Sequence, residues 1–192
     1  MKRIRKCASL EDGNILILFA GFLVLIIFMI GLMLDLGMIY MRRNDLMDLC
    51  QVAREERLSR QDSIRYAENP GELTYDIVSN SVRKNGFKGT VKVYFYEKEP
   101  EWNDRSYKVR IVLSEEYHYT FLRILPNVTS STITVYLDGI EEYGDKRDDL
   151  DDMIWHPTGG PNGYNGSYTG TDPEQPSQYE YKKGDIPDSM LT

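Results

Sequence analysis

Residues 15–34, ILILFAGFLVLIIFMIGLML, run for twenty positions without a charge. Coiled as a helix, at 1.5 Å per residue, they cover about 30 Å, the thickness of a bilayer's hydrocarbon core. A secretory signal has a shorter apolar region, about 7–15 residues, closed by a small-x-small cleavage site. Here the run leaves through LDLGMIYMRR, which contains no such site. A buried helix of a soluble domain is striped and rarely stays apolar for so long. The pattern predicts a retained transmembrane helix over residues 14–36.

The helical period does not stop at Asp35. Leu46, Leu49, Cys50 and Ala53 recur at i, i+3, i+4 and i+7, the spacing of one apolar stripe. No Gly or Pro interrupts the chain from Met38 to Glu68, and Asn69-Pro70-Gly71 is a strong stop. The expectation is a single helix from near Asn14 to about Ala67, some 80 Å long, with residues 37–68 as its extension outside the membrane.

Beyond Pro70 the period changes. GELTYDIVSNSVRKNGF predicts a short helix stopped at Asn85-Gly86, where glycine tolerates the left-handed conformation. Alternation with period two then begins. Val91, Val93 and Phe95 share one face of a strand, with Lys92, Tyr94 and Tyr96 on the other. Tyr107, Val109, Ile111 and Leu113 form a second apolar face, and Ile133, Val135 and Leu137 a third. EPEWNDRS reads as the hairpin loop between the first two, and EEYHYTFLRILPNVTSST as a further strand with a turn at Pro126-Asn127. The fold class is α+β. A transmembrane helix extends into a long amphipathic helix, followed by a small three- or four-stranded antiparallel sheet domain over 70–140. The long helix is a candidate to cover one face of that sheet, and the architecture is pilin-like.

Composition sharpens the ends of the chain. Residues 138–152 hold eight acids against two bases, within a chain of net charge −7. Nucleic acid needs a basic face to neutralise phosphates, so it is excluded as a partner. Residues 145–152 lack the D-x-D-x-D-G spacing of a calcium loop, and a solvated acidic linker is the expected role. From Pro157 to Thr192 there are six Gly and five Pro and hardly any core formers. Residues 141–192 therefore read as an acidic and then Gly/Pro/Tyr-rich disordered tail, whose tyrosines would make weak adhesive contacts.

The candidate chemistry is sparse. Cys7 and Cys50 flank the apolar run and would lie on opposite sides of the membrane, so no bridge between them is expected. Cys50, on the apolar stripe, reads as a buried small hydrophobe. The two histidines, His118 and His156, sit in no catalytic motif. No phosphate loop, nucleophile elbow or HExxH occurs, so no enzyme activity, cofactor or small-molecule substrate is expected. Lys2, Arg3, Arg5 and Lys6 precede the span and favour a cytoplasmic N-terminus with the 1–13 segment inside. The C-terminal domain would then lie outside the cytoplasm. On that orientation Asp35 falls at the outer boundary of the membrane, where a carboxylate costs much less than at mid-bilayer. It either marks the exit into water, pairing with Arg42 or Arg43, or makes a polar contact to a neighbouring helix.

The stretch from Glu11 to Glu56 resembles the N-terminal helix of TadE/TadG-like proteins of the tight-adherence (Tad, or Flp) pilus assembly system. The elements that carry the likeness are Gly13-Asn14 opening the apolar run and Asp35-x-Gly37 closing it, followed by Tyr40, Arg43, Leu46 and Ala53-Arg54. The resemblance implies a non-enzymatic minor pseudopilin or assembly accessory, anchored in the cell membrane as a single-pass protein. Its partners would be membrane lipid and other pilus-assembly membrane proteins or pilins, contacted by helix packing through Asp35, Gly37, Tyr40 and Arg43. Some relatives are cut by a prepilin peptidase after a Gly. The corresponding bond is Gly13–Asn14, but Leu18 stands where such relatives carry Glu, which favours the uncleaved TadG-like pattern. The alternative is a generic single-pass surface protein whose outer β-domain binds a ligand or surface.

Overall fold

A computed structural model of the chain describes residues 5–65, 67–97, 106–139, 142–143, 166–170 and 186–191. It divides into two compact units, one made of residues 1–41 and 117–131 and the other of 42–116 and 132–192.

Helix α1 (Arg5–Ser59) runs through both units. Over its apolar part the side chains point outward nearly all round: Leu16, Ile17 and Leu18 are each exposed by more than two thirds. A soluble core helix would be mostly buried, so this exposed apolar surface is suited to lipid. Helix α1 is the one described helix long and apolar enough to cross a membrane.

At its other end α1 stops sooner than its pattern predicts. The Ser59 hydroxyl donates to the Glu56 carbonyl at 2.7 Å, and the Arg60 amide turns back to the Arg57 carbonyl. Serine competes with the backbone for helical hydrogen bonds in this way and often bends or ends a helix. A five-residue helix, α2 (Gln61–Arg65), follows the break. The single helix expected to reach Ala67 is thus two.

The second unit is built as the period change predicts. Helix α3 (Pro70–Lys84) opens with Asn69, whose side-chain oxygen accepts from the Glu72 amide at 3.0 Å, and with Pro70 in its first turn. The Asn69 side-chain amide in turn donates to the Glu72 carboxylate, so the two side chains brace the first turn. Gly86 closes the helix at φ +82. Strands β1 (Thr90–Glu97) and β2 (Ser106–His118) pair antiparallel, with Val91 opposite Leu113, Val93 opposite Ile111 and Phe95 opposite Val109. All six of those side chains are buried, so the alternation read from the sequence is the core face. Strand β3 (Ser130–Asp138) flanks β2 and buries Ile133 and Val135, while Leu137 is only half-buried. The two-residue β4 (Glu142–Tyr143) pairs with the start of β2. Leu46, Cys50, Ala53 and Arg57 of α1 are buried in this same unit.

A further strand comes from the segment that reads as tail. Strand β5 (Gly166–Gly170) pairs antiparallel with β1, placing Tyr168 opposite Val93, and the sheet order becomes β3-β2-β1-β5. Tyr168 is buried, stacks on Tyr75 at 6.5 Å, and lies so close to Gly71 that a Cβ there would meet its ring at 2.7 Å. This tyrosine is a core residue and not an adhesive one. A four-residue helix, α4 (Asp188–Leu191), buries Met190. Tyr164, Tyr179, Tyr181 and the acidic stretch 145–152 lie outside the described residues.

Cys50 is free and buried, and burial pushes its thiol up to about 12. The neutral thiol is the form the fold favours. Its contribution to stability is whole below about pH 9, the ordinary value of such a thiol, and is lost as pH rises toward 12. In a Cys7→Ser background, Cys50 is expected to resist maleimide at pH 8 and to react at least about a hundredfold faster in denaturant. Rapid labelling of the folded protein would contradict that burial.

Candidate functional site

The most constrained polar group in the first unit is Asp35. Its carboxylate accepts three backbone hydrogen bonds from a segment about eighty-five residues away in the chain. The Thr120 amide donates to Oδ1 at 3.0 Å, and the Phe121 and Leu122 amides donate to Oδ2 at 2.9 and 2.6 Å. These amides open a 3-10 turn over Leu122–Ile124. The first amides of any helical turn lack partners within it, and an anion there also meets the positive end of the peptide dipoles. Asp35 therefore caps this turn from another element, as an N-cap side chain does from within. It is fully buried by doing so.

One turn before Asp35 on the same face is Gly31, also buried. The ring of Phe121 lies against it, so that a Cβ at Gly31 would stand 3.0 Å from Phe121 Cγ. The absent side chain makes the seat for the aromatic ring, and the carboxylate holds the backbone beside it.

The loop is closed by its own hydrogen bonds. The Tyr119 amide donates to the Thr129 carbonyl, Ile124 to Phe121, Leu125 to Leu122 and Val128 to Leu125. Asn127 takes a positive φ of 68, a conformation asparagine tolerates better than most residues. The turn predicted at Pro126-Asn127 is present. The strand predicted before it is not, because β2 ends at His118 and the chain coils onto α1 instead.

The other residues singled out in the sequence are not gathered round Asp35. Gly37 is two positions on, about 200° round the helix, with nothing within 4 Å of where its Cβ would be. Tyr40 is 67% exposed, and Arg43 is exposed as well. Gly37 and Tyr40, three apart, share a face that the described residues leave open. Neither Arg42 nor Arg43 is the partner of Asp35. Arg42 instead forms a bidentate pair with Glu115 of β2, at 2.7 to 3.0 Å. That pair is half-exposed, and its contribution is under about 1 kcal/mol. Gly13 and Asn14 lie inside α1, which begins at Arg5, and the side chains before Ile15 lie outside the described residues. His118 is exposed, and His156 lies outside the described residues.

The arrangement holds a turn against a helix. The Asp35 oxygens are directed at amide donors, so the group anchors and does not transfer protons. Sequence reasoning missed the 117–131 loop as its partner. The available signal was TFLRILP, an apolar cluster between two strands that fits neither strand alternation nor a polar loop.

Residues 13–53, about a fifth of the chain, match the family model described as "Putative Flp pilus-assembly TadE/G-like". Neither the curated proteins nor the solved structures contain a match to the chain. The matched segment begins at the Gly13–Asn14 pair and includes Gly31, Asp35, Gly37, Tyr40 and Arg43. Through that helix the chain is similar to the TadE/TadG-like family.

Proposed function

We propose that this protein is a membrane-anchored, non-enzymatic component of Tad/Flp-type pilus assembly, a minor pseudopilin or TadE/TadG-like accessory that packs its helix against partner subunits. The observation that carries the reading is the family match over 13–53. It falls on a helix whose two sides are used differently. The Gly31–Asp35 side is filled by the chain's own loop. The Gly37–Tyr40 side is open, and a glycine with free space above it lets a second helix backbone approach closely, as small residues do at helix contacts in membranes. Partner packing is therefore assigned to Gly37 and Tyr40, with Arg43 at the margin, and Asp35 shapes the protein that presents them. The N-terminus is cytoplasmic, the sheet domain is extracytoplasmic, and the apolar span is retained.

In cells that make the pilus, Gly37→Leu is expected to reduce surface piliation at least about tenfold while the protein inserts and accumulates normally. The leucine fills the space a partner would use without touching the chain's own contacts. Piliation counted by immunoblot of sheared fibres checks this. Unchanged piliation with Gly37→Leu would remove the helix-packing role, and unchanged piliation on deleting the gene would remove the assembly role altogether.

A further inference from the structure

We infer that the 117–131 loop is a second membrane contact, inserted into the outer boundary of the bilayer beside the helix that anchors the chain. The inference rests on the reading of residues 14–36 as the transmembrane span. Depth is fixed by the docking geometry. Phe121 is seated on Gly31, which lies inside the uncharged run of residues 15–34 and one turn, about 6 Å, deeper than Asp35. A ring in contact with that residue is at the level of the lipid tails' outer end.

The loop's surface matches such a place. Ile124 is 78% exposed, and Phe121 and Leu125 are each exposed by more than a third, although they are large apolar side chains on the same short turn. Exposed Arg123 stands among them, a long cation able to lift its charge to the headgroups while its stem stays in apolar surroundings. Tyr117 and Tyr119, edge to face at 6.0 Å, flank the turn, and aromatic residues with a polar tip favour the membrane–water interface.

The backbone supplies a separate observation. Irregular chain survives near hydrocarbon only where its polar groups are satisfied by protein. Here the amides of Thr120, Phe121 and Leu122 go to Asp35. Those of Tyr119, Ile124, Leu125 and Val128 go to carbonyls of the loop itself, and Pro126 has no amide hydrogen. Asp35 thus acquires a reason to stand at the membrane boundary: it neutralises the backbone of a turn that sits there.

The test uses the full chain in phospholipid nanodiscs with Cys7→Ser, Cys50 staying unlabelled because it is buried. A nitroxide is placed at Ile124→Cys, at Leu125→Cys in a second variant, and at Phe22→Cys as the lipid reference. A water-soluble nitroxide in the same buffer is the aqueous reference. Collision with a polar nickel relaxant is expected to be roughly three- to tenfold lower at 124 and 125 than at the aqueous reference, as for groups 5–10 Å into the headgroup–acyl boundary. Collision at Ile124 and Leu125 equal to the aqueous reference, with Phe22 protected, would overturn the inference alone. Phe22 as accessible as the aqueous reference would overturn the span itself and the inference with it.

Discussion

Asp35→Ala is expected to release the 117–131 loop from α1 while the chain remains in the membrane. The substitution leaves the amides of Thr120, Phe121 and Leu122 without their acceptor in a partly buried site. Unmet buried donors cost the full desolvation of each group, and hydrogen bonds to a charged acceptor are stronger than neutral ones. Three are lost at once. Amide exchange at 120–122, followed by mass spectrometry in nanodiscs, should accelerate on the order of a hundredfold, because local opening governs exchange in such segments. Asp35→Asn keeps one acceptor oxygen and should give a smaller acceleration, on the order of tenfold. Gly31→Leu provides a companion result: its side chain would occupy the space of the Phe121 ring, so exchange should rise at the same amides with Asp35 intact. Protection of β1 amides should be the same in all three variants. Unchanged exchange at 120–122 in Asp35→Ala would show that the carboxylate does not hold the loop.

Phe95→Ala is expected to cost about 3–5 kcal/mol, the range for deleting a fully buried aromatic side chain. Phe95 has no exposed surface and stacks on Tyr107 with ring centroids 5.4 Å apart. Its partner across β5 is Gly166, which offers no side chain to fill the void. Small domains have only about 5–15 kcal/mol in all. With a urea slope of about 2 kcal/mol per molar, the midpoint of the full-length protein in detergent should fall by roughly 1.5–2.5 M. Near-ultraviolet dichroism of the buried tyrosines would follow the sheet domain without interference from the anchor helix. Tyr94→Ala, one position earlier on the opposite face and only half-buried, should cost under about 1 kcal/mol. Equal losses at 94 and 95 would mean that the inward face of β1 is wrongly assigned.

The distinction between those two neighbours was already legible in the amino-acid order. Alternation with period two says which side chains of β1, β2 and β3 point inward, because a strand turns successive residues to opposite faces whatever it packs against. The apolar run and the Leu46–Cys50–Ala53 stripe likewise declare an anchor and a buried helical face, and Asn69-Pro70 and Asn85-Gly86 mark where α3 begins and ends. All of these depend on neighbours within a few positions. The likeness to TadE/TadG proteins was legible for the same reason, since it lies in one continuous helix.

What the order of residues left open was every pairing between distant segments. Tyr168, in a stretch rich in Gly and polar residues, gives no local sign of a strand; it joins the sheet because β1 has a free edge and Gly71 leaves room for its ring. Helix α1 was expected to run on to Ala67, but it stops at Ser59, whose hydroxyl turns on the Glu56 carbonyl. Asp35 shows the difference most plainly. Its identity and its place at the end of the apolar run were readable, along with the cost of a carboxylate near lipid. That its partners are three amides of a turn some eighty-five residues on was not, because a backbone donor has no letter in the sequence. Local periodicity determined the elements of this protein, and only the tertiary structure could say which buried polar groups meet.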